Sequence, residues 1–269
     1  MSRFGLIGNP ISHSKSPALF SQAYSSGIHT YELVEADTVE KAMDLFCTSD
    51  LKGVNVTSPF KDEVMRYVTN PSRVSSLLGS ANVLIKEEQA VGGKFDIYSY
   101  NTDYYGVKNT IAQFLESHLL PDSLKSKSLT RVAVIGAGGA GKAAVLAMAD
   151  SGFEVSLVNR SAGKVAEFAG RVGAVYVPLD GVRECVERAD LVIYSLSFLL
   201  EQLEDMDWSE KVVFEANYAK AALSPENGVK CGLYIDGRYW LYHQAVPAFK
   251  LFTNQEPDCP AMKKIMGIE

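Results

Sequence analysis

The chain has little of what marks a metal centre, a membrane span or a nucleic-acid surface. Its 269 residues include only four cysteines and four histidines. Cys47, Cys185, Cys231 and Cys259 lie far apart and form no pair at metal-ligand spacing, so no metal site is expected. The same dispersion speaks against a disulfide framework and for a reducing, cytoplasmic setting with idle thiols. No run of about 18 apolar residues occurs, so no membrane-spanning helix is expected. The opening MSRFGLIGNPISHSKSP has too short an apolar stretch for a secretory signal. Basic residues (26) are outnumbered by acidic ones (32), and a net charge of −6 argues against a nucleic-acid partner, whose phosphates need a basic surface. A small molecule is the expected partner, and a monomer or homodimer the expected state. There is no internal repeat and no low-complexity segment.

What is present is an ordinary globular composition, 47% hydrophobic and 22% charged, long enough for one large domain or two modest ones with sizeable cores. Strand and helix signals alternate. RFGLIGNP reads as a strand closed by a turn, and SKSPALFSQAYSSG as a helix with Ser16 as a candidate cap and Pro17 in the first turn. TYELVEAD is a second strand. TVEKAMDLFCTSD is an amphipathic helix with an apolar face of Val39, Ala42, Met43, Leu45 and Phe46. LKGVNVTSP is a third strand and KDEVMRYV a third helix, which puts Lys61 at that helix's amino end. NVLIKEE and KFDIYSYN read as strands joined by a hairpin turn at Gly92-Gly93. DYYGVKNTIAQFLESH is helical and LLPDSLKSKSLT loop-like. A second alternation then starts at RVAVIGAGGAGKAAVLAMADSG and continues through EVSLVNR, AGKVAEFAGRVG, AVYVPL, ADLVIYS, KVVFEANY and GLYIDG. RYWLYHQAVPAFKLFTN is an amphipathic helix suited to return to the first unit. The expected architecture is α/β in two domains, with largely parallel strands. The boundaries expected are 1–103 joined by 238–269, and 104–237.

The second unit carries the most legible chemistry. Gly136, Gly138 and Gly141 fit G-x-G-x-x-G between an apolar strand and an alanine-rich helix. That spacing gives a tight turn, a close backbone approach and a helix amino end aimed at a pyrophosphate, with Gly139 and Ala140 inside the same turn. Where an NAD site has an acid for the ribose 2′-hydroxyl, this chain has Asn159-Arg160-Ser161, with Lys164 a turn later. A carboxylate would repel a 2′-phosphate, whereas a guanidinium pairs with it, so NADP is the expected cofactor; a solvated arginine at a strand end is the plainer alternative.

The first unit is less explicit. Ser14 and Ser16, two apart at a strand-to-helix junction, suit a small carboxylate; Ser16 as a simple cap fits the spacing equally well. His13 suits a turn or packing role. Lys61 and Asp103, from NVTSPFK and YNTD, would make a proton relay if brought together and solvated surface groups if not. Asn55, Asn82 and Asn101 suit either buried hydrogen bonding or the binding of substrate hydroxyls.

Taken together, GNPISHSKSP, GVNVTSPFK, GSANVL, YNTDYYG, VIGAGGAGKAA, NRS and DGRYWLYHQAVPAF resemble the shikimate dehydrogenase family, in its order, over roughly residues 4–253. The resemblance implies a substrate domain, a Rossmann-type NADP-binding domain, an active site in the cleft between them, and reversible interconversion of shikimate and 3-dehydroshikimate. Carried over by motif, Lys61 and Asp103 match the catalytic pair, and Ser14 and Ser16 the carboxylate binders. Asn55, Thr57, Asn82, Asn101 and Gln244 match residues around the substrate hydroxyls and ring, and Tyr218 a substrate-side tyrosine. The chain also departs from the pattern. Tyr194-Ser195-Leu196-Ser197-Phe198-Leu199-Leu200 replaces an Asn-Ala-Thr-type stretch, keeping Ser197 for the nicotinamide half. Ser99 replaces a glycine, Val83 a threonine, and Lys220 a proline. Two rival functions fit less well: a quinate/shikimate dehydrogenase using NAD or NADP, and a non-catalytic nucleotide-sensing relative. The relay residues speak against the second.

Overall fold

The computed structural model describes residues 2–24, 27–89, 95–116, 120–125 and 128–268. The chain divides into two compact units, Met1–Thr102 with Tyr242–Glu269, and Asp103–Leu241. The division puts Asp103 at the first position of the second unit.

The first unit runs β1 (Ser2–Gly8), α1 (Ser16–Ala23), β2 (His29–Glu35), α2 (Val39–Thr48), β3 (Leu51–Val56), β4 (Asn70–Pro71), α3 (Arg73–Leu78), β5 (Val83–Glu88) and β6 (Phe95–Tyr100). Its six strands lie in the order β2-β1-β3-β5-β6-β4. β1 pairs in parallel with β2 and β3, while β5 is antiparallel to both β3 and β6, so the sheet is mixed. The Gly92-Gly93 turn expected between β5 and β6 lies outside the described residues. Helix α2 starts where Thr38 accepts the Lys41 N–H at 3.3 Å. It buries Val39, Ala42, Met43 and Phe46 against Leu51, Val54 and Val56 of β3. Leu45, expected on that face, is 47% exposed, because it sits two positions from Met43, across the helix.

Two local expectations are corrected. The segment KDEVMRYV forms only a 3-10 turn, Glu63–Tyr67, and Lys61 stands in the loop before it. The coil cannot lengthen because Thr69 is already committed to the sheet, its N–H donating to Ile97 O at 3.0 Å. Ser16 is the first residue of α1 rather than its cap; Lys15 is the cap and makes no side-chain bond there.

The second unit contains α4 (Asp103–Glu116), α5 (Asp122–Lys125), β7 (Arg131–Ile135), α6 (Gly139–Asp150), β8 (Glu154–Asn159), α7 (Lys164–Arg171), β9 (Val175–Pro178), α8 (Val182–Arg188), β10 (Leu191–Tyr194), β11 (Trp208–Glu215) and β12 (Cys231–Ile235). Helix α9 (Gly237–Thr253) carries the chain back across the division and α10 (Cys259–Met266) ends the described fold. The second sheet is parallel throughout, in the order β12-β11-β10-β7-β8-β9. Its central strands β7 and β10 read as near-continuous apolar, buried runs, as strands covered on both faces do. Numbered from β7, this is the doubly wound Rossmann order, whose direction of winding reverses between β7 and β10. Ligands of such sheets bind at the carboxyl ends of the two strands flanking that reversal.

Candidate active site

In the first unit the loops after β1 and β3 lie side by side. Asn9 N–H donates to Ser58 O at 3.2 Å, and Thr57 N–H to Ile7 O at 2.9 Å. A Cβ on Gly8 would meet Thr57 Cγ2 at 2.4 Å and Ile11 Cγ2 at 2.6 Å, so only glycine lets the loops approach this closely. The loop after β3 then turns through Phe60, which is buried and anchors the segment, to the half-buried Lys61. Lys61 O accepts from Ala81 N–H at 2.9 Å, which fixes the lysine backbone beside Asn82.

Asn82 is the hub of this unit. Its Oδ1 accepts the Thr102 N–H at 2.7 Å, and its Nδ2 donates to Thr102 Oγ1 at 3.0 Å and Gln244 Oε1 at 3.3 Å. Thr102 Oγ1 also reaches Gln244 Oε1 at 3.3 Å. Three distant stretches of sequence are thus gathered, and Thr102 leads directly into Asp103, which is buried. Asn55 Nδ2 donates to Asn82 O at 3.2 Å. Asn101 is directed differently, donating to Ser80 O and Ser80 Oγ at 3.1 Å, and its buried Oδ1 takes no bond from the described residues.

The two serines also meet. Ser14 Oγ donates to Ser16 Oγ and accepts the Ser16 N–H, both at 3.2 Å. Sequence reasoning missed the residue that links them to the asparagines. Tyr31 on β2 donates to Asn55 Oδ1 at 2.8 Å, with Ser16 beside its phenol. Burial raises the Tyr31 phenol far above its usual range, so it remains a donor at any working pH. Thr102 was missed too. The sequence signals for both were slight: a tyrosine in an edge strand, and a threonine inside YNTD.

In the second unit the glycine turn sits at the sheet's winding reversal. Gly136 has φ +96°, and a Cβ on Gly141 would lie 1.9 Å from Gly136 O. A Cβ on Gly138, the cap of α6, would meet nothing within 4 Å, so the helix amino end faces open space. The loop after β10 closes over the same turn. Ser195 Oγ donates to Ile135 O at 2.7 Å and would collide at 2.5 Å with any side chain on Gly136.

The divergent stretch is held by its own first residue. Tyr194, fully buried, donates to Phe198 O at 2.9 Å and accepts the Leu200 N–H at 3.1 Å. Burial pushes its phenol up to about 12. Ser197 and Phe198 at the bend are exposed, Phe198 by 59%.

Asn159 ends β8 and braces the turn, its Oδ1 accepting the Ala137 N–H at 3.3 Å and its Nδ2 donating to Ser161 O at 3.0 Å. Arg160, Ser161 and Lys164 stand exposed beyond it. This donor set has two cations and no carboxylate where an NAD ribose would need one, and it fits a 2′-phosphate. Tyr218 lies in the loop after β11, 37% exposed.

Comparison with known proteins accounts for both halves. The shikimate dehydrogenase substrate-binding domain matches residues 6–84, and the shikimate/quinate 5-dehydrogenase family matches residues 119–217. A shikimate dehydrogenase (NADP(+)) from Natronomonas pharaonis is 31% identical over 99% of this chain and 98% of its own. The chain belongs to the shikimate dehydrogenase family. Solved shikimate dehydrogenases share the fold along their whole length. The one from Aquifex aeolicus superposes with a TM-score of 0.80 at 26% identity, covering 98% of this chain and 97% of that one. The Thermus thermophilus shikimate 5-dehydrogenase, solved with NADP(H) and shikimate, gives 0.76 at 25% identity and covers 99% of each chain.

Proposed function

We propose that this chain catalyses the NADP-dependent, reversible interconversion of shikimate and 3-dehydroshikimate, a step of aromatic amino acid biosynthesis. The observation that carries it is the pairing, in one family-length chain, of two specific sites. One is the Asn82–Thr102–Gln244 network beside the Lys61 loop, and the other is a dinucleotide turn flanked by Arg160 rather than an acid.

In this reading Ser14 and Ser16 hold the substrate carboxylate. Asn55, Thr57, Asn82, Asn101, Gln244 and Tyr218 surround its ring and hydroxyls. Tyr31 fixes Asn55, Thr102 fixes Asn82 and the two serines hold each other before substrate arrives, so little ordering remains at binding. Lys61 and Asp103 form the relay. In oxidation they take the proton of the reacting hydroxyl; in reduction they return it, and the lysine charge stabilises negative charge growing on the carbonyl oxygen. Gly136, Gly138, Gly139, Ala140 and Gly141 would cradle the pyrophosphate of NADP, Asn159, Arg160, Ser161 and Lys164 its adenosine phosphate, and Ser197 its nicotinamide half. When bound, the cofactor supplies the hydride acceptor for oxidation and the hydride donor for reduction.

The test is a rate assay with shikimate or quinate against NADP+ or NAD+, following formation of the reduced nicotinamide. Shikimate with NADP+ should be the fastest pair. Lys61→Met should lower kcat by about a hundredfold or more while leaving NADP+ affinity unchanged. Near-normal turnover in that variant, or preference for quinate with NAD+, would overturn the assignment.

A further inference from the structure

The Tyr218 loop is held by a carboxylate that the proposed chemistry does not use. Glu215, at the end of β11, is 0% exposed. It accepts from the Ala222 N–H, from the Leu223 N–H at 3.2 Å with both oxygens, and from Tyr234 Oη–H at 2.9 Å. It therefore ties the far foot of the loop to the strand from which the loop departs. The near foot is fixed independently, by Ala216 N–H donating to Tyr194 O at 2.8 Å and by Gly237, whose Cβ would lie 2.7 Å from Ala216 O. Between the feet, Asn217 Oδ1 accepts from Ala219 N–H at 3.2 Å and Lys220 N–H at 3.0 Å, a side-chain turn that wraps the backbone around Tyr218. Lys220 stands where the family usually has a proline. A proline has no N–H to give, so here the Asn217 turn does what a fixed ring would otherwise do.

We propose that Glu215 is a positioning residue for substrate binding that acts through Tyr218: its buried carboxylate closes the Ala216–Leu223 loop, and the Asn217 turn sets where the phenol stands. Burial raises this carboxyl above its usual range, and the bonds from Ala222, Leu223 and Tyr234 offset part of that cost. A loop that needed only to connect β11 to β12 has no use for such a group, since an apolar foot would serve without the desolvation penalty. The inference rests on the reading of Tyr218 as a substrate-side residue.

The experiment is steady-state kinetics of shikimate oxidation at saturating NADP+ for Glu215→Gln, Glu215→Asp, Asn217→Ala, Tyr218→Phe and the double variant Glu215→Gln/Tyr218→Phe. Amide exchange of the full-length wild type accompanies it. Glu215→Gln should raise the shikimate KM by about tenfold with NADP+ affinity unchanged. Glu215→Asp, which keeps both carboxyl oxygens, should recover most of that loss. The double variant should be no worse than the poorer single one, since both act on one contact. Should Glu215→Gln fail to fold, Asn217→Ala in the partly exposed turn should show the same KM effect. Multiplicative effects in the double variant, or a shikimate KM unmoved in both Glu215→Gln and Asn217→Ala, would overturn the proposal. So would fast exchange of the Ala222 and Leu223 amides in the ligand-free wild type. A wild type without shikimate turnover would sink the activity reading instead, and exchange would still decide whether the clasp exists.

Discussion

Lys86 is buried, 7% exposed, with its ammonium directed into backbone. Nζ donates to Phe46 O at 2.9 Å, Cys47 O at 3.3 Å and Ser49 O at 2.7 Å, and lies 4.7 Å from the centre of the Phe95 ring. These carbonyls are the ones a helix end leaves unpaired, so the lysine caps α2 from a neighbouring strand while its charge answers the helix dipole. Lys86→Met keeps the apolar stem and removes the donors; it should cost roughly 1–3 kcal/mol in urea unfolding, with no change in substrate KM. Unchanged stability would show that water replaces the ammonium. Nothing in NVLIKEE flags this lysine, because its partners come from a helix end some 40 positions earlier. Tyr31 and Thr102 escaped for the same reason: their importance lies in partners that only the folded chain supplies. Ser14, Ser16, Asn55 and Gln244 stand out through motif order alone, and the structure adds their hydrogen-bond partners.

At the scale of elements, the most legible feature was the strand–turn–helix of β7 and α6, where local glycine spacing and the tertiary requirement coincide. Gly141→Ala tests that coincidence. Its methyl would fall 1.9 Å from a main-chain oxygen that no rotamer can move, so NADP+ affinity should drop by about tenfold or more. An affinity within twofold of wild type would mean the turn opens freely. Short elements were not legible. β4, α3, α5 and α8 carry two to seven residues each, too few for a period to declare itself. KDEVMRYV has the composition of a helix and is denied the length by sheet pairing at Thr69, a competition that local propensity cannot register.

At the scale of the molecule, acid stability should carry the mark of His243 on α9. Burial, with the Lys263 ammonium nearby, pulls its imidazole down from 6.5 to about 4. The native state thus stays unprotonated while the unfolded chain takes up a proton, so stability is complete above about pH 6.5 and falls as the pH drops toward about 4. His243→Gln should flatten that part of the curve in urea titrations at several pH values; parallel curves for variant and wild type would refute it. Overall architecture was the easiest thing to read from the sequence, because two runs of alternating strand and helix each imply a layered α/β sheet. The antiparallel pairing of β5 with β6 follows the expected hairpin, whereas that of β5 with β3 depends on long-range contact, which composition does not encode.

The turn joining Asn217 to Lys220 bears on how this sequence can be improved or can drift. Engineers who stabilise proteins by importing the commonest residue at each position would install a proline at 220, expecting a stiffer chain. Here that change alone would delete one of the two donors to the asparagine's oxygen, leaving only the Ala219 N–H. The two sites work as one unit, so a change at 220 is felt at 217 and the pair is best altered together.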